Sequence, residues 1–447
     1  MKISVNAHIL MLIVIFASSA QSCRKGNYLI EEHLLNVVDD GSGTGTVTWT
    51  ADNTYILDGF VFVNDGQILT IEPGTVIHSR TGRAERASAL IVARGGKIIA
   101  EGTRDKPIVF TVEGDDLEGS VPLEAKGLWG GIIILGNAPI YTESGEASIE
   151  GVPFYEPRGI YGGYDANDNS GILKYVSIRH GGSNIGEGNE INGLTLAAVG
   201  NNTTIDYVEI ISNEDDGLEI FGGTVNIKHI FVAFCGDDAF DYDLGYTGKG
   251  QFLVGIQQEG LGDRLFENGG NIHPGEETAH PVFYNLTLMG QGYNTHKPAV
   301  SFLNNAGGEF YNSLIINQDL GIEIEKIDGR SNSYQQWQAG NIKFEDSWFF
   351  NVANNMSENV FFLTGGFSLE DQQKWSDYFE GGNNQIKSAE IGCIQNKYFI
   401  RPDLVSWGQN HQYPGSWFDP VEFKGAMGSV NWAKSWTLFD REGLFGN

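Results

Sequence analysis

Cysteine is nearly absent from this chain of 447 residues, with three in all: Cys23, Cys235 and Cys393. So few exclude a disulfide scaffold, and nothing among them has the spacing of a zinc site. Basic residues are also short: 28 Lys and Arg stand against 57 Asp and Glu, a formal charge of -29. That balance removes the positive footprint that nucleic acid and anionic lipid surfaces require. It suits cations, neutral glycans or a basic protein partner. Proline is scarce at 12 residues, whereas glycine reaches 60 without a collagen period. This combination suits many tight turns between short strands. No phosphate loop, dinucleotide fingerprint or nucleophile elbow is present.

Long apolar runs are absent too, except at the start. Lys2 is followed by Ile9-Leu10-Met11-Leu12-Ile13-Val14-Ile15-Phe16-Ala17 and then by small residues. The run is too short to span a bilayer stably and reads as a secretory signal peptide over residues 1–22. Ala20-Gln21-Ser22-Cys23 resembles a bacterial lipobox. That resemblance implies acylation of Cys23, anchorage at the outer membrane and membrane contact through the lipid alone. Cleavage with a free Cys23 is the alternative. Residues 23–45, Gly- and Ser-rich towards their end, then read as a flexible tether. Cys235 lies in an apolar run and is expected as a buried thiol rather than a partner of Cys393.

What the chain does have is a repeat. Asn213-Glu214-Asp215-Asp216-Gly217-Leu218-Glu219-Ile220 is followed by Cys235-Gly236-Asp237-Asp238-Ala239-Phe240-Asp241-Tyr242-Asp243. Asp215 to Asp237, Asp216 to Asp238 and Glu219 to Asp241 are each 22 residues. Asp206-Tyr207-Val208-Glu209-Ile210 is echoed by Lys228-His229-Ile230-Phe231-Val232 at the same interval. Alternate residues such as Val208 and Ile210, then Ile230 and Val232, would face a core. One coil cannot bury that face alone, so coils must stack. Short β-rich runs such as Ile68-Leu69-Thr70-Ile71 and Ile132-Ile133-Ile134-Leu135 extend the pattern upstream. The expectation is an all-β, right-handed parallel β-helix over residues 46–355. An antiparallel sandwich requires no constant interval, and a propeller needs a longer one.

From residue 356 the character changes. Ser368-Leu369-Glu370-Asp371 looks like a capping box, which predicts a helix from Leu369 to Glu380. Trp407, Trp417, Trp432 and Trp436 cluster near the end. Residues 356–447 are expected to be a C-terminal cap over the open core. A glycan-stacking platform is the other reading of the same tryptophans.

The repeat gathers eight carboxylates: Glu214, Asp215, Asp216, Glu219, Asp237, Asp238, Asp241 and Asp243. Lys228 is the one Lys or Arg in the stretch between them. Three readings are open. Crowded carboxylates raise one another's pKa or demand a cation. A hard, oxygen-liganded Ca²⁺ suits Asp215, Asp216, Glu219, Asp237, Asp238, Asp241 and Asp243, with turn carbonyls near Gly217 and Gly236. Stacked carboxylates also provide an acid and a base for glycoside hydrolysis, with Asp215, Asp237 and Asp238 as the catalytic candidates. Finally, acids at coil corners bond turn amides or face solvent. Arg179-His180, the loop with His273, Glu276, Glu277 and His280, and the pair Tyr242 and Tyr246 are weaker candidates.

Asp215-Asp216-Gly217-Leu218-Glu219-Ile220-Phe221-Gly222-Gly223 and Gly236-Asp237-Asp238-Ala239-Phe240-Asp241-Tyr242-Asp243-Leu244-Gly245-Tyr246 resemble a family of β-helix lipoproteins from Bacteroidota-type bacteria. The tail, with Asn431-Trp432 and Ser435-Trp436-Thr437, is similar to that family as well. The resemblance implies an outer-membrane location beside a TonB-dependent receptor and no settled activity. Asn213-Glu214-Asp215 with Gly236-Asp237-Asp238 also resembles, less closely, the polygalacturonase-type glycoside hydrolases. Their Gly-His-Gly and Arg-x-Lys motifs are missing after Asp238. The expected function is a non-catalytic envelope lipoprotein that binds an extracellular ligand, such as a glycan, or partners an outer-membrane receptor or envelope complex. A polysaccharide-degrading hydrolase or lyase is the alternative.

Overall fold

The computed structural model describes residues 33–186, 190–271, 278–367, 369–387 and 415–445. Parallel strands stack coil upon coil into a parallel β-helix. Each full coil contributes to three ladders. The first runs from Val47–Trp49 through Ile68–Ile71 and Lys97–Glu101 into the front of Gly171–Arg179. The second runs from His33–Val37 through Asn53–Leu57, Val76–Ser79 and Ile108–Val112 into the back of that same strand. From there to Val282–Gly292 one long strand per coil carries both ladders, as in Thr204–Ile211 and Asn226–Ala233; beyond it Gly308–Tyr311 and Leu314–Gln318 carry them separately. The third ladder is a ten-stranded sheet from Phe60–Val63 to Phe361–Leu363.

A long strand can serve two ladders because it bends at one residue. Tyr175, Tyr207, His229, Phe252, Asn285, Asn312 and Asp346 all have φ between 48° and 62° at that corner. Such backbone is costly for residues with a Cβ. Stacking offsets the cost. The Tyr175 and Tyr207 rings lie 4.4 Å apart, Tyr207 and His229 4.1 Å, and His229 and Phe252 4.8 Å, all close to parallel. Inside the coils, Val208, Ile210, Ile230 and Val232 are buried as their alternation requires.

The coils reach further than the sequence suggests at both ends. His33–Val37, inside the stretch expected to be a tether, pairs in register with Asn53–Leu57. Asp39 then takes the amides of Gly41 (2.8 Å) and Gly43 (2.9 Å) and an ion pair from Arg158 (2.6 Å). Past residue 355, Phe361–Leu363 and Gln385–Lys387 still add to the ladders. The helix Leu369–Gly381 lies at this end, with Trp375 and Phe379 packed on Phe361 and Phe349. Ser368, Cys23, Cys393 and Trp407 lie outside the described residues.

The final tryptophans do something other than cap the core. Trp432 and Trp436 pack along the flank of the solenoid, edge-on to the corner column of rings. Their neighbours are the outward residues Phe231, Val254, Ile316 and Phe350. Two amides of this strap, Leu438 N (2.8 Å) and Phe439 N (3.0 Å), donate to the fully buried Glu209 carboxylate. A buried carboxylate needs such donors.

Candidate functional site

The third ladder places one residue per coil on its outer face. In register these are Phe62, Ile91, Ile133, Thr195, Glu219, Asp241, Glu267, Ser301, Glu323 and Phe362. The column begins apolar, turns acidic and ends apolar. At roughly 4.8 Å per coil, the polar run from Glu219 to Glu323 is about 19 Å long. The insertion at residues 141–168, with its hairpin Glu146–Ser148 and Ile160–Gly162, covers the apolar start. Ile149, Val152 and Tyr161 are buried there against Ile91, Ile133 and Leu135.

Where the cover ends, a cleft of about 220 Å³ opens. Glu150, Glu190, Asp215, Asp216, Glu219, Asp237, Asp238, Asp241 and Glu267 line it, with Asn192 and Arg264. Asp216, Glu219 and Asp241 each bring a carboxylate oxygen within 4.8 Å of the others. Asp215, Asp216 and Asp237 form a second such group, and Asp237, Asp238 and Asp263 a third. In the third, Asp263 already has cationic partners. Lys297 Nζ is 2.6 Å from Asp263, and Arg264 Nη1 is 2.6 Å from both Asp263 and Glu267.

Two of the acids have a turn duty. Asp216 Oδ1 accepts from Asp238 N one coil on (2.8 Å), and Asp238 Oδ1 accepts from Arg264 N one coil further (2.5 Å). Each carboxylate thus satisfies an amide that the turn would otherwise leave bare. Gly236 is required beside them, since a Cβ there would sit 1.9 Å from Glu214 O. The Gly217 carbonyl, expected as a free oxygen ligand, accepts from Leu194 N (3.0 Å).

Glu219 and Asp241 differ. Glu219 takes Asn192 Nδ2, which also reaches Glu150 (3.3 Å). Asp241 Oδ1 is buried and has no hydrogen-bond partner among the described residues. Burial raises both carboxyls well above the usual range. The charge of Asp241 then adds to the effect on Glu219, and that of Glu267 to the effect on Asp241. Asp216 and Asp238 are raised for the same reasons, burial first. Asp215 is pushed up to about 7 by burial and by the charges of Asp237, Glu150 and Glu190. A group of acids in this state favours protons or a cation over nothing.

Residues 41–398 match the model of the pectate-lyase-like β-helix domain. The chain belongs to that family. No curated protein and no solved structure matches it. Within this pectate-lyase-like β-helix, the other expected site residues are scattered. Asp243 accepts from Leu244 N (2.6 Å), is pushed up to about 6 by burial and is not among the cleft residues. Glu214 is exposed outside it. Arg179 and His180 are buried, not a basic surface pair. Arg179 Nε donates to Ser177 Oγ (2.8 Å) and His180 Nδ1 to Ala125 O (2.7 Å). Tyr242 and Tyr246 are wholly buried and bond Gly307 O and Val225 O, so neither offers a ring to a ligand. Lys228 turns away to Asp419 (2.8 Å) and the Trp417 ring. His280 bonds Glu309 (3.2 Å), while His273, Glu276 and Glu277 lie outside the described residues. Cys235 is buried and free.

Glu150, Glu190, Asn192, Arg264 and Glu267 join the cleft without having been expected there. Glu267 and Arg264 carried a signal, since each follows Asp241 and Asp238 by the same 26 residues. Glu150 and Glu190 come from insertions and carried none.

Proposed function

We propose that this protein is a non-catalytic β-helix of the cell envelope that binds an acidic glycan through a divalent cation held in the cleft. The observation that carries the reading is the buried Asp241 Oδ1, without a hydrogen-bond partner among the described residues, inside a tight carboxylate group with Asp216 and Glu219. The donors are all oxygen, which suits a hard cation such as Ca²⁺ and disfavours softer metals. Asp216, Glu219 and Asp241 would hold the ion, with Asp215 and Asp237 at the rim. The ion would supply the positive charge that nine carboxylates and one guanidinium lack, and so admit an anionic sugar. Arg264 is engaged by Asp263 and Glu267 and is poorly placed to act as a free base. Acylation of Cys23 would hold the protein at the outer membrane, where a receptor or envelope complex would be its partner. The lipobox-like start of the chain supports that placement.

One observation favours a second reading, a polysaccharide hydrolase or lyase. Asp215, held to about 7, is half-protonated near neutral pH and has an oxygen within 4.8 Å of Asp237. An acid beside a base is the pairing that glycoside cleavage uses. Both readings are tested on the full chain with Ca²⁺ and a panel of acidic and neutral glycans. The binding reading predicts retention of an acidic glycan that chelator abolishes, with no product released. Product release that disappears in Asp237→Asn would establish the enzyme instead.

A further inference from the structure

We propose that the folded protein joins Lys424 to Asn312 by an isopeptide bond, which fastens the C-terminal strap to the coils. Lys424 Nζ donates to Asn312 Oδ1 (3.2 Å) and to the Asp346 carbonyl. A C=O bond is about 1.2 Å long, so Nζ lies within about 4.4 Å of Asn312 Cγ. The pair is dry: Lys424 is 3% exposed, Asn312 is fully buried, and the Trp348 ring lies 5.4 Å from Nζ. Both partners of Nζ are neutral oxygens, and among the described residues no carboxylate pairs with it. A buried charge without a counter-ion is costly. Burial pushes the ammonium down to about 8, against the raising charge of Asp346. A share of Lys424 is therefore free amine near neutral pH, and the free amine is the nucleophile.

The strap is pinned on both sides of Lys424 to the corner column that carries its target. Asn312 Nδ2 donates to Phe423 O (2.8 Å), and Asn312 O accepts from Gly425 N (2.9 Å). Asn285, one coil back, donates to Phe423 O (3.1 Å) and Gly425 O (3.0 Å). Groups held in this way react at a high effective concentration. In the reaction the Lys424 amine attacks Asn312 Cγ and a new C–N bond forms. The bond from Cγ to Nδ2 breaks, and that nitrogen leaves as ammonia with the proton that Nζ gives up. Asp346, one coil on in the same corner column, supplies the carboxylate that passes this proton from Nζ to Nδ2. No oxidant, reductant or second molecule is consumed. The product amide is neutral, so the bond also removes the buried charge.

The test is mass spectrometry of the purified full chain under denaturing conditions. Wild type should weigh about 17 Da less than its covalent sequence requires, the mass of the ammonia lost. Its tryptic digest should hold a branched peptide that contains both Asn312 and Lys424 and is uncut after Lys424. Lys424→Arg, which keeps the positive charge, should show the full mass and no branched peptide. Asp346→Asn should leave most of the chain without the bond. A wild type of full mass whose digest is cut after Lys424 would overturn the proposal. So would a deficit of the same size in Lys424→Arg, which would place the loss of ammonia elsewhere. A branched peptide as abundant in Asp346→Asn as in wild type would overturn the role given to Asp346 alone.

Discussion

Two halves of one ladder of outward residues behave in opposite ways. Phe62, Ile91 and Ile133 share their backbone geometry with Glu219, Asp241 and Glu267, coil for coil. The apolar half lies under an insertion and is dry. The acidic half is open and gathers more negative charge than Arg264 and Lys297 offset among the described residues. The lesson is that the β-helix fixes spacing but not chemistry. The same strand position serves as core where a loop covers it and as site where the loop stops.

The largest effect is expected from exchanging the chemistry of the two halves. Ile133 is 1% exposed beneath the insertion. Ile133→Asp leaves an unpaired buried charge and should cost about 3–5 kcal/mol, read as a lower midpoint in guanidinium unfolding. A loss below about 1 kcal/mol would mean that the insertion does not seal this half.

A smaller effect comes from pH. Asp215 at about 7 and Asp243 at about 6 both lie above the ordinary 3.8. The folded protein therefore binds protons more tightly than the unfolded chain. Their contribution to stability is fully present below pH 3.8 and is lost as pH rises through 6 to 7. The metal-free protein should melt at a higher temperature at pH 5 than at pH 8. Saturating Ca²⁺ should reduce or reverse that order, because metal competes with protons for the same oxygens. A metal-free melting temperature that rises from pH 5 to pH 8 would contradict the crowded acidic half.

The sequence made the acidic half more legible than its setting. The 22-residue interval stacks Asp216 on Asp238 and Glu219 on Asp241, as the register shows. Runs such as Ile68–Ile71 and Ile132–Leu135 are strands because β-branched residues in short blocks leave little else to form. Glu150 and Glu190 were invisible because insertions have no period. The strand His33–Val37 was missed because its side chains are mostly exposed, so it shows no alternation of burial. The flank position of Trp432 and Trp436 depends on a corner of Tyr175, Tyr207 and His229 at positive φ. Nothing in the propensities of Tyr, His or Trp announces that conformation. The period thus revealed which acids stack, while burial and loop cover decided which of them have work beyond a turn.

The most direct test is calorimetric titration of metal-free protein with Ca²⁺ at pH 8, for wild type, Asp241→Asn and Asp243→Asn. A saturable site is expected in wild type, kept in Asp243→Asn and weakened at least tenfold in Asp241→Asn. No saturable binding, or equal binding by Asp241→Asn and wild type, would contradict it.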